Sequence, residues 1–274
     1  MKPAPFLSHV RRDQNVPLDP ATFPGNLRFV ADLDLTFETP VTFFVGENGS
    51  GKSTLLEAIA VLSGFPQAGG GTNDLASSHG LNEKSVLADG LRAGFASRPR
   101  DGYFFRADLQ AHFASLLDAR RNDPEFRDNH GGPADPYRNY GGRPLHALSH
   151  GEAFLATLKN RVGDGLYILD EPESALSPQR QLALLAMMYD AVHRAPEEES
   201  HGKKKGARGR GDCGTQFVIA THSAILLTYP GARIISFDNE RLEAVTIEET
   251  THYQITHGVL TRPESYWKHL RGSP

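Results

Sequence analysis

Cysteine is almost absent from this sequence of 274 residues: Cys213 is alone, so the chain cannot form an internal disulfide. No apolar run approaches the ~20 residues that a membrane-spanning helix requires, and none of signal-peptide length follows Met1. Neither sign of charge dominates, because 29 basic and 33 acidic side chains leave a net charge of −4. This balance argues against a surface devoted wholly to nucleic acid. We therefore expect a soluble cytoplasmic protein with one large domain.

The sequence does contain a glycine-rich stretch with a distinctive spacing, Gly46-Glu47-Asn48-Gly49-Ser50-Gly51-Lys52-Ser53-Thr54. It follows the pattern G-x-x-x-x-G-K-[ST] of a phosphate-binding loop, or P-loop, which requires a strand before it and a helix after it. Val41–Val45 is apolar and β-rich, and Leu55, Ile59 and Leu62 recur at helical spacing. The alternative is a chance glycine-rich turn, and the two flanking elements favour the phosphate site.

The residue types in this stretch suit a triphosphate. The glycines allow the backbone N–H groups to point inward as an anion-sized nest, and the positive end of the following helix adds attraction. Lys52 is expected to reach the β- and γ-phosphates, and the Ser53 hydroxyl to bind Mg²⁺. The expected nucleotide contacts are Asn48, Gly49, Ser50, Gly51, Lys52, Ser53 and Thr54.

Two carboxylates, Asp170 and Glu171, follow a second apolar strand at Leu166–Leu169. An aspartate at the tip of a buried strand is unfavourable unless it is paired or binds a metal ion. An acidic turn is the alternative, but downstream of a P-loop the metal interpretation is favoured. His222 follows another apolar strand, Phe217–Ala220, and we expect it at the same end of the sheet.

The segment Leu148–Glu152 reads Leu-Ser-His-Gly-Glu and precedes a helix. Ser149 with Glu152 three residues later fits a capping box, which is a purely structural explanation. A functional interpretation is compatible with it, because a capped helix start is itself attractive to anions.

The remaining pattern predicts several further elements. We expect a strand with one wet face at 27–37, a buried strand at 103–105, a helix at 108–120, a surface loop at 121–143 and a hairpin closing 233–247. A helix beginning after Ser177 carries a stripe assigned to the core, consisting of Leu182, Leu185, Tyr189 and Val192.

Residues 195–214 are of low complexity and are far longer than an ordinary helix-to-strand loop. They are interpreted as a disordered insertion that hydrolysis does not require. The basic run Lys203–Lys205 leaves contact with nucleic acid or an acidic surface open, while a solvated loop is favoured.

Taken in order, these motifs resemble those of the ABC-type ATPases. The nearest likeness is to small stand-alone bacterial predicted ATPases, grouped near the overcoming-lysogenization and chromosome-maintenance types. The phrases that carry it are Phe44–Gly49, His150–Glu152 and Asp170–Glu173, and the likeness extends over about residues 23–270. It implies a single α/β domain with a P-loop core, a mixed sheet, an N-terminal antiparallel portion and a helical lobe within 65–147.

The resemblance also implies roles for individual residues. Ser53 and Asp170 would hold Mg²⁺, Glu171 would polarise the attacking water and His222 would contact the γ-phosphate. Ser149 and Gly151 would contact ATP that is bound to a second, head-to-tail protomer. Phe23 would stack on adenine. The cofactors implied are ATP and Mg²⁺, and the protein would be an ATPase coupled to an unidentified partner, such as a protein effector.

The sequence departs from the family pattern at several positions. His150 and Glu152 replace Gly and Gln of the usual Leu-Ser-Gly-Gly-Gln signature, and Ser177 stands where Asp is usual. No Gln follows the 103–105 strand, where Arg106 or Asp108 would take its position. Residues 65–147 also lack the sustained heptads of long coiled-coil arms.

Two rival functions remain open at the level of sequence. The chain could be the ATP-binding subunit of a membrane transporter, which would require a membrane-protein partner. It could also be a nucleotide-gated toxin or defence module with slow hydrolysis. The altered signature disfavours the first rival, and Glu171 favours real turnover over the second.

Overall fold

The computed structural model describes residues 5–67, 69–71, 85–99, 101–106, 115, 117–119, 121, 137, 142–194 and 214–271. The strands in these ranges are β1 (Leu7–Arg12), β2 (Asp34–Thr36), β3 (Val41–Val45), β4 (Leu91–Phe95), β5 (Gly102–Arg106), β6 (Gly165–Asp170), β7 (Thr215–Ala220), β8 (Arg233–Ser236) and β9 (Glu243–Val245). The α-helices are α1 (Lys52–Leu62), α2 (Val86–Asp89), α3 (His150–Arg161), α4 (Pro178–Val192), α5 (Thr251–Thr261) and α6 (Pro263–Leu270).

The main sheet has the strand order β5-β6-β7-β3-β8-β9. Strands β5 to β8 and β3 run parallel, and β9 returns antiparallel to β8 as a hairpin. A smaller antiparallel sheet, β2-β1-β4, joins the N-terminal segment to residues 91–95. The fold is thus α/β with a mixed main sheet and an N-terminal antiparallel portion, as expected from the sequence.

Both faces of the main sheet are buried, which explains why its strands are continuous apolar runs rather than alternating ones. Phe43 faces a core shared with Phe154 and Leu184 of helices α3 and α4. Phe44 faces the opposite core, which contains helix α1 and apolar side chains of the small sheet. The main sheet is therefore the middle of three layers.

This topology brings the sequence motifs together at one edge. Strand β7 lies between β3 and β6, and Ala220 at its end is in register with Phe44 on one side and Asp170 on the other. The carboxyl ends of the three parallel strands therefore deliver the P-loop, the acidic pair and His222 to neighbouring positions.

Three sequence interpretations need correction. The expected strand at 27–37 is regular only over Asp34–Thr36, because residues 27–30 form turns with backbone bonds such as Val30 N–H to Leu27 O. The stripe assigned to α4 is displaced by one position: Leu182 and Tyr189 are exposed, whereas Leu184 and Met188 are buried. Residues 1–26 have no clear sequence periodicity that would predict a strand, yet they contain β1.

Several interpretations fall largely outside the described residues. These are the helix at 108–120, the loop at 121–143, the insertion at 195–214 and most of the helical lobe at 65–147. In the part of the chain that the structure does describe, no helix combines the length and hydropathy needed to cross a bilayer.

Candidate functional site

The P-loop connects β3 to α1 through left-handed backbone. Gly51, the N-cap of α1, has φ 96°, and a Cβ there would lie 2.8 Å from Cε1 of Phe29. A side chain at this position would be both strained and crowded. The loop can thus keep its backbone N–H groups close to a ligand only because glycine occupies position 51.

Lys52 is the cation inside this loop. Its side chain is buried, and Nζ donates to the carbonyl oxygens of Gly46 at 2.7 Å and Glu47 at 2.9 Å. Burial lowers the pKa of Lys52, while the carboxylates of Glu171 and Asp238 oppose that shift. The ammonium group is therefore largely desolvated, which strengthens its attraction to an anion.

The next residue connects the P-loop to the acidic strand. Ser53 Oγ donates a hydrogen bond of 2.9 Å to Oδ1 of Asp170. The described residues include no cluster of three or more His, Cys, Asp or Glu side chains able to hold a metal ion by themselves. A hydroxyl and one carboxylate instead match Mg²⁺, which is commonly bound by one or two carboxylates together with substrate phosphates.

Glu171 has an unusual backbone. Its φ of 47° and ψ of 54° are left-handed, and no other described non-glycine residue has positive φ. Its N–H donates to Ala220 O, which fixes the turn after β6 against the end of β7. Backbone strain of this kind persists where the surrounding structure holds it, often at functional sites. The turn aims the Glu171 side chain into the P-loop cavity.

The cavity has a volume of about 200 Å³. Phe23, the expected base-stacking residue, is 67% exposed and is one of the residues that line it. The residues that line the cavity are Phe23, Leu27, Asn48, Gly49, Gly51, Lys52, Ser53, Thr54 and Glu171.

His222 stands beside this cavity. Its Nε2 is 3.5 Å from Oε1 of Glu171, is buried and has no hydrogen-bond partner. Burial is the first cause that lowers the pKa of His222, followed by the positive charge of Lys52. A buried ring nitrogen without a partner needs an explanation, and a phosphate oxygen would provide one.

Glu173 and His252, which sequence reasoning did not identify, both form hydrogen bonds with His222. Glu173 accepts hydrogen bonds from the His222 backbone N–H at 2.5 Å and from Thr221 Oγ1 at 2.8 Å. His252 approaches the other ring nitrogen of His222, Nδ1, at 2.7 Å. Glu173 could have been suspected from the Asp-Glu-Pro-Glu run, whereas His252 lies in a C-terminal segment without any motif.

Ser149 and Gly151 do not line the cavity. Ser149 caps α3 in a complete capping box with Glu152, and Arg180 donates to Ser149 Oγ at 3.1 Å. Gly151 packs so closely that a Cβ would lie 2.7 Å from the carbonyl oxygen of Ala175. The structural role predicted for this segment is therefore present, with the helix start held against the loop after Glu171.

Arg106, at the end of β5, forms an ion pair of 3.2 Å with Glu57 of α1, and Asp170 is its partner in the strand register. Arg106 therefore lies at the end of β5, the position at which a glutamine is absent from this sequence. Asp108, the other candidate, lies outside the described residues.

The site as a whole fits a phosphate chain. Ser50 Oγ is buried in the P-loop without a hydrogen-bond partner, as is expected of a group whose partner is a ligand. Gly51 lines an open cradle with Lys52 behind it and the Ser53–Asp170 pair beside it. Hydrogen-bond donors, a cation, and oxygens of the kind that bind Mg²⁺ therefore occur together.

Comparison with known proteins agrees with this site. Residues 25–92 match the family model of an AAA domain. No curated protein matches the chain. The matched range contains the P-loop and the strand and helix that flank it.

Solved structures similar in fold include the ATP-binding cassette of an ABC transporter, with 14% identity over 95% of this chain and 97% of the other and a TM-score of 0.47. A metal-chelate type ABC transporter in an inward-facing conformation has 16% identity over 79% and 76%, with a TM-score of 0.46. The SMC head domain from Thermotoga maritima has 17% identity over 88% and 98%, with a TM-score of 0.39. Similarities at this level carry no information on function.

Proposed function

We propose that this protein is a Mg²⁺-dependent ATPase that closes as a head-to-tail dimer around two ATP molecules and couples this cycle to a protein effector. The observation that carries the proposal is the convergence of Lys52, the Ser53–Asp170 pair and Glu171 on one cavity. Transfer of a phosphoryl group to water depends mainly on positioning and electrostatics, which these side chains can supply.

Each side chain has a defined task in this proposal. Lys52 exchanges its carbonyl partners for phosphate oxygens, and Ser53 with Asp170 holds the Mg²⁺, whose charge offsets that of the phosphates. Glu171 orients and polarises the attacking water. His222 donates from Nε2 to the γ-phosphate and thereby satisfies a nitrogen that lacks a partner in the free protein.

The second protomer of the proposed dimer would supply contacts to the nucleotide that the cavity of one protomer does not supply. None of its described lining residues comes from Leu148–Glu152, although Ser149 caps a helix whose positive end attracts anions. In the proposed dimer, Ser149 and Gly151 of one protomer cover the nucleotide held by the other. The contact of Arg180 with Ser149 supports this role, because the guanidinium group offsets the negative charge of Glu152.

Light scattering of Glu171→Gln protein with and without Mg-ATP tests this proposal. The substitution keeps the shape of the side chain and removes the carboxylate, so ATP should persist and stabilise the closed dimer. The expected result is a monomer without ATP and a dimer with it. Lys52→Ala in the same background should require a higher ATP concentration to dimerise because ATP binding is weakened.

A second variant tests the trans contact. Ser149→Arg combined with Glu171→Gln should bind ATP yet remain monomeric, since the larger side chain fills the phosphate contact. If Glu171→Gln stays monomeric in saturating Mg-ATP at high protein concentration, the Ser149 segment is only a helix cap. The same trapped dimer is the bait with which to recover the protein effector.

A further inference from the structure

His252 lies within reach of the proposed catalytic groups although nothing in the motif pattern points to it. Its Nε2 is 2.7 Å from Nδ1 of His222, with ring centroids 4.8 Å apart and ring planes at 67°. The residue belongs to the first turn of α5, where the buried Thr250 is the N-cap and its Oγ1 accepts from the N–H of Tyr253. The helix start is therefore held in place beside His222.

A hydrogen bond between two imidazole nitrogens contains one proton, which one ring donates and the other accepts. Burial is the largest cause that lowers the pKa of both rings, and the charge of Lys52 lowers both further. Because their pKa values are lowered from the ordinary 6.5, both rings are neutral at pH 7, with one proton each. Only two arrangements remain, and they differ in whether the His222 proton resides on Nδ1 or on Nε2.

The surroundings distinguish the two arrangements. If His222 donated from Nδ1, its bare Nε2 would face the Glu171 carboxylate at 3.5 Å, and two acceptors would meet. His252 Nδ1, which is buried without a partner, would then carry an unpaired N–H group. In the reverse arrangement, His222 Nε2–H faces the carboxylate and His252 Nδ1 is a bare acceptor. A buried unpaired acceptor is tolerated better than a buried unpaired N–H.

We propose that His252 is a positioning residue: it donates Nε2–H to Nδ1 of His222 and so keeps the His222 proton on Nε2, facing Glu171 and the γ-phosphate position. This inference rests on the proposed ATPase function. The hydrogen bond at one nitrogen of a histidine determines which tautomer the other nitrogen presents. Without His252, His222 is free to turn or to hold its proton on the wrong nitrogen.

Two substitutions separate this role from mere packing. His252→Phe keeps a ring and removes the donor, whereas His252→Gln puts an amide N–H close to where Nε2 was. We expect His252→Phe to lower kcat for Mg-ATP about tenfold, the effect of one lost hydrogen bond in the transition state, with KM within about twofold. His252→Gln should recover most of kcat. His257→Phe is the matched control, because His257 is on the same helix and exposed.

Nitrogen-15 NMR of histidine-labelled protein reads the tautomer without relying on turnover, with the His222 signals assigned from a His222→Gln variant. The wild type should carry the proton on Nε2 of His222, His252→Gln should preserve that state and His252→Phe should give a mixture. A proton on Nδ1 of His222 in the wild type overturns the inference, as does unchanged kcat in His252→Phe or equal loss in both variants. Absence of ATP hydrolysis by the wild type would instead reject the proposed function and leave the NMR test valid.

Discussion

The hydroxyl of Ser53 donates a hydrogen bond of 2.9 Å to the carboxylate of Asp170, a residue 117 positions later in the chain. This contact joins the start of helix α1, which follows strand β3, to the end of strand β6, and β7 lies between β3 and β6 in the sheet. A hydroxyl and a carboxylate held together in this way are preorganised for a hard cation.

Asp170→Asn should abolish the effect of Mg²⁺ on nucleotide binding. The amide oxygen can still accept from Ser53, so the local structure is kept while the negative charge that attracts the cation is removed. Calorimetry with ATP in Mg²⁺ and in EDTA measures the effect, and we expect the two affinities to become similar. Asp190→Asn, at an exposed position on α4, is the control. An undiminished response to Mg²⁺ in Asp170→Asn would exclude this aspartate as a metal ligand.

Lys52→Ala should weaken ATP binding at least about tenfold, because a hydrogen bond to a charged group contributes roughly 1.5–3 kcal/mol. Lys52 is buried in the P-loop, so the substitution removes a desolvated cation. Isothermal titration calorimetry measures the loss, with the exposed Lys159→Ala on α3 as the control. Equal affinity of Lys52→Ala and wild type would contradict the assignment of the phosphate site.

Gly151→Ala should destabilise the protein because the new methyl group would lie 2.7 Å from the carbonyl oxygen of Ala175. Relieving such overpacking requires a backbone shift that typically costs about 1–3 kcal/mol. Gly163 is a matched control, since a Cβ there meets no atom within 4 Å, and its alanine variant should unfold like the wild type. Urea denaturation gives both values, and equal stability of the two variants would mean that the α3 start is not tightly packed.

Much of the site could be read from sequence because its residues follow local rules. The P-loop and the acidic pair each adjoin a buried strand, and in a parallel sheet such strand ends gather at one edge. The capping box of Ser149 is equally local. No such rule covers His252, whose contact with His222 depends on how a C-terminal helix packs.

The errors have physical causes of the same kind. Strand β1 could not be predicted from sequence alternation. Its register against β4 shifts between Leu7 and His9, and such a bulge interrupts the alternation that identifies a strand. On α4, several apolar residues compete for the core, and Leu184 and Met188 are buried while Leu182 is left exposed. Helical spacing alone cannot decide between stripes that differ by a small rotation.

Glu173 provides a test based on pH. Its carboxylate accepts from Thr221 Oγ1 and from the His222 N–H, but burial dominates and raises the pKa of Glu173 above its ordinary 4.5. Well below pH 4.5 the group is protonated in both the folded and unfolded chain. As the pH rises from there, the unfolded chain loses the proton first, so this group reduces stability until the pH has passed the folded-state pKa.

Glu173→Gln removes that titration while its amide oxygen can still accept from the His222 N–H. We therefore expect the free energy of unfolding of Glu173→Gln to increase relative to that of wild type between about pH 4 and pH 7, by about 1.4 kcal/mol for each unit that separates the folded and unfolded pKa values of Glu173. Urea denaturation at both pH values measures the difference, with the exposed Glu248→Gln as the control. If wild type and Glu173→Gln change in parallel, the Glu173 carboxylate is paired well enough to offset its burial, and the loop that carries His222 is held by a charged acceptor rather than a neutral one.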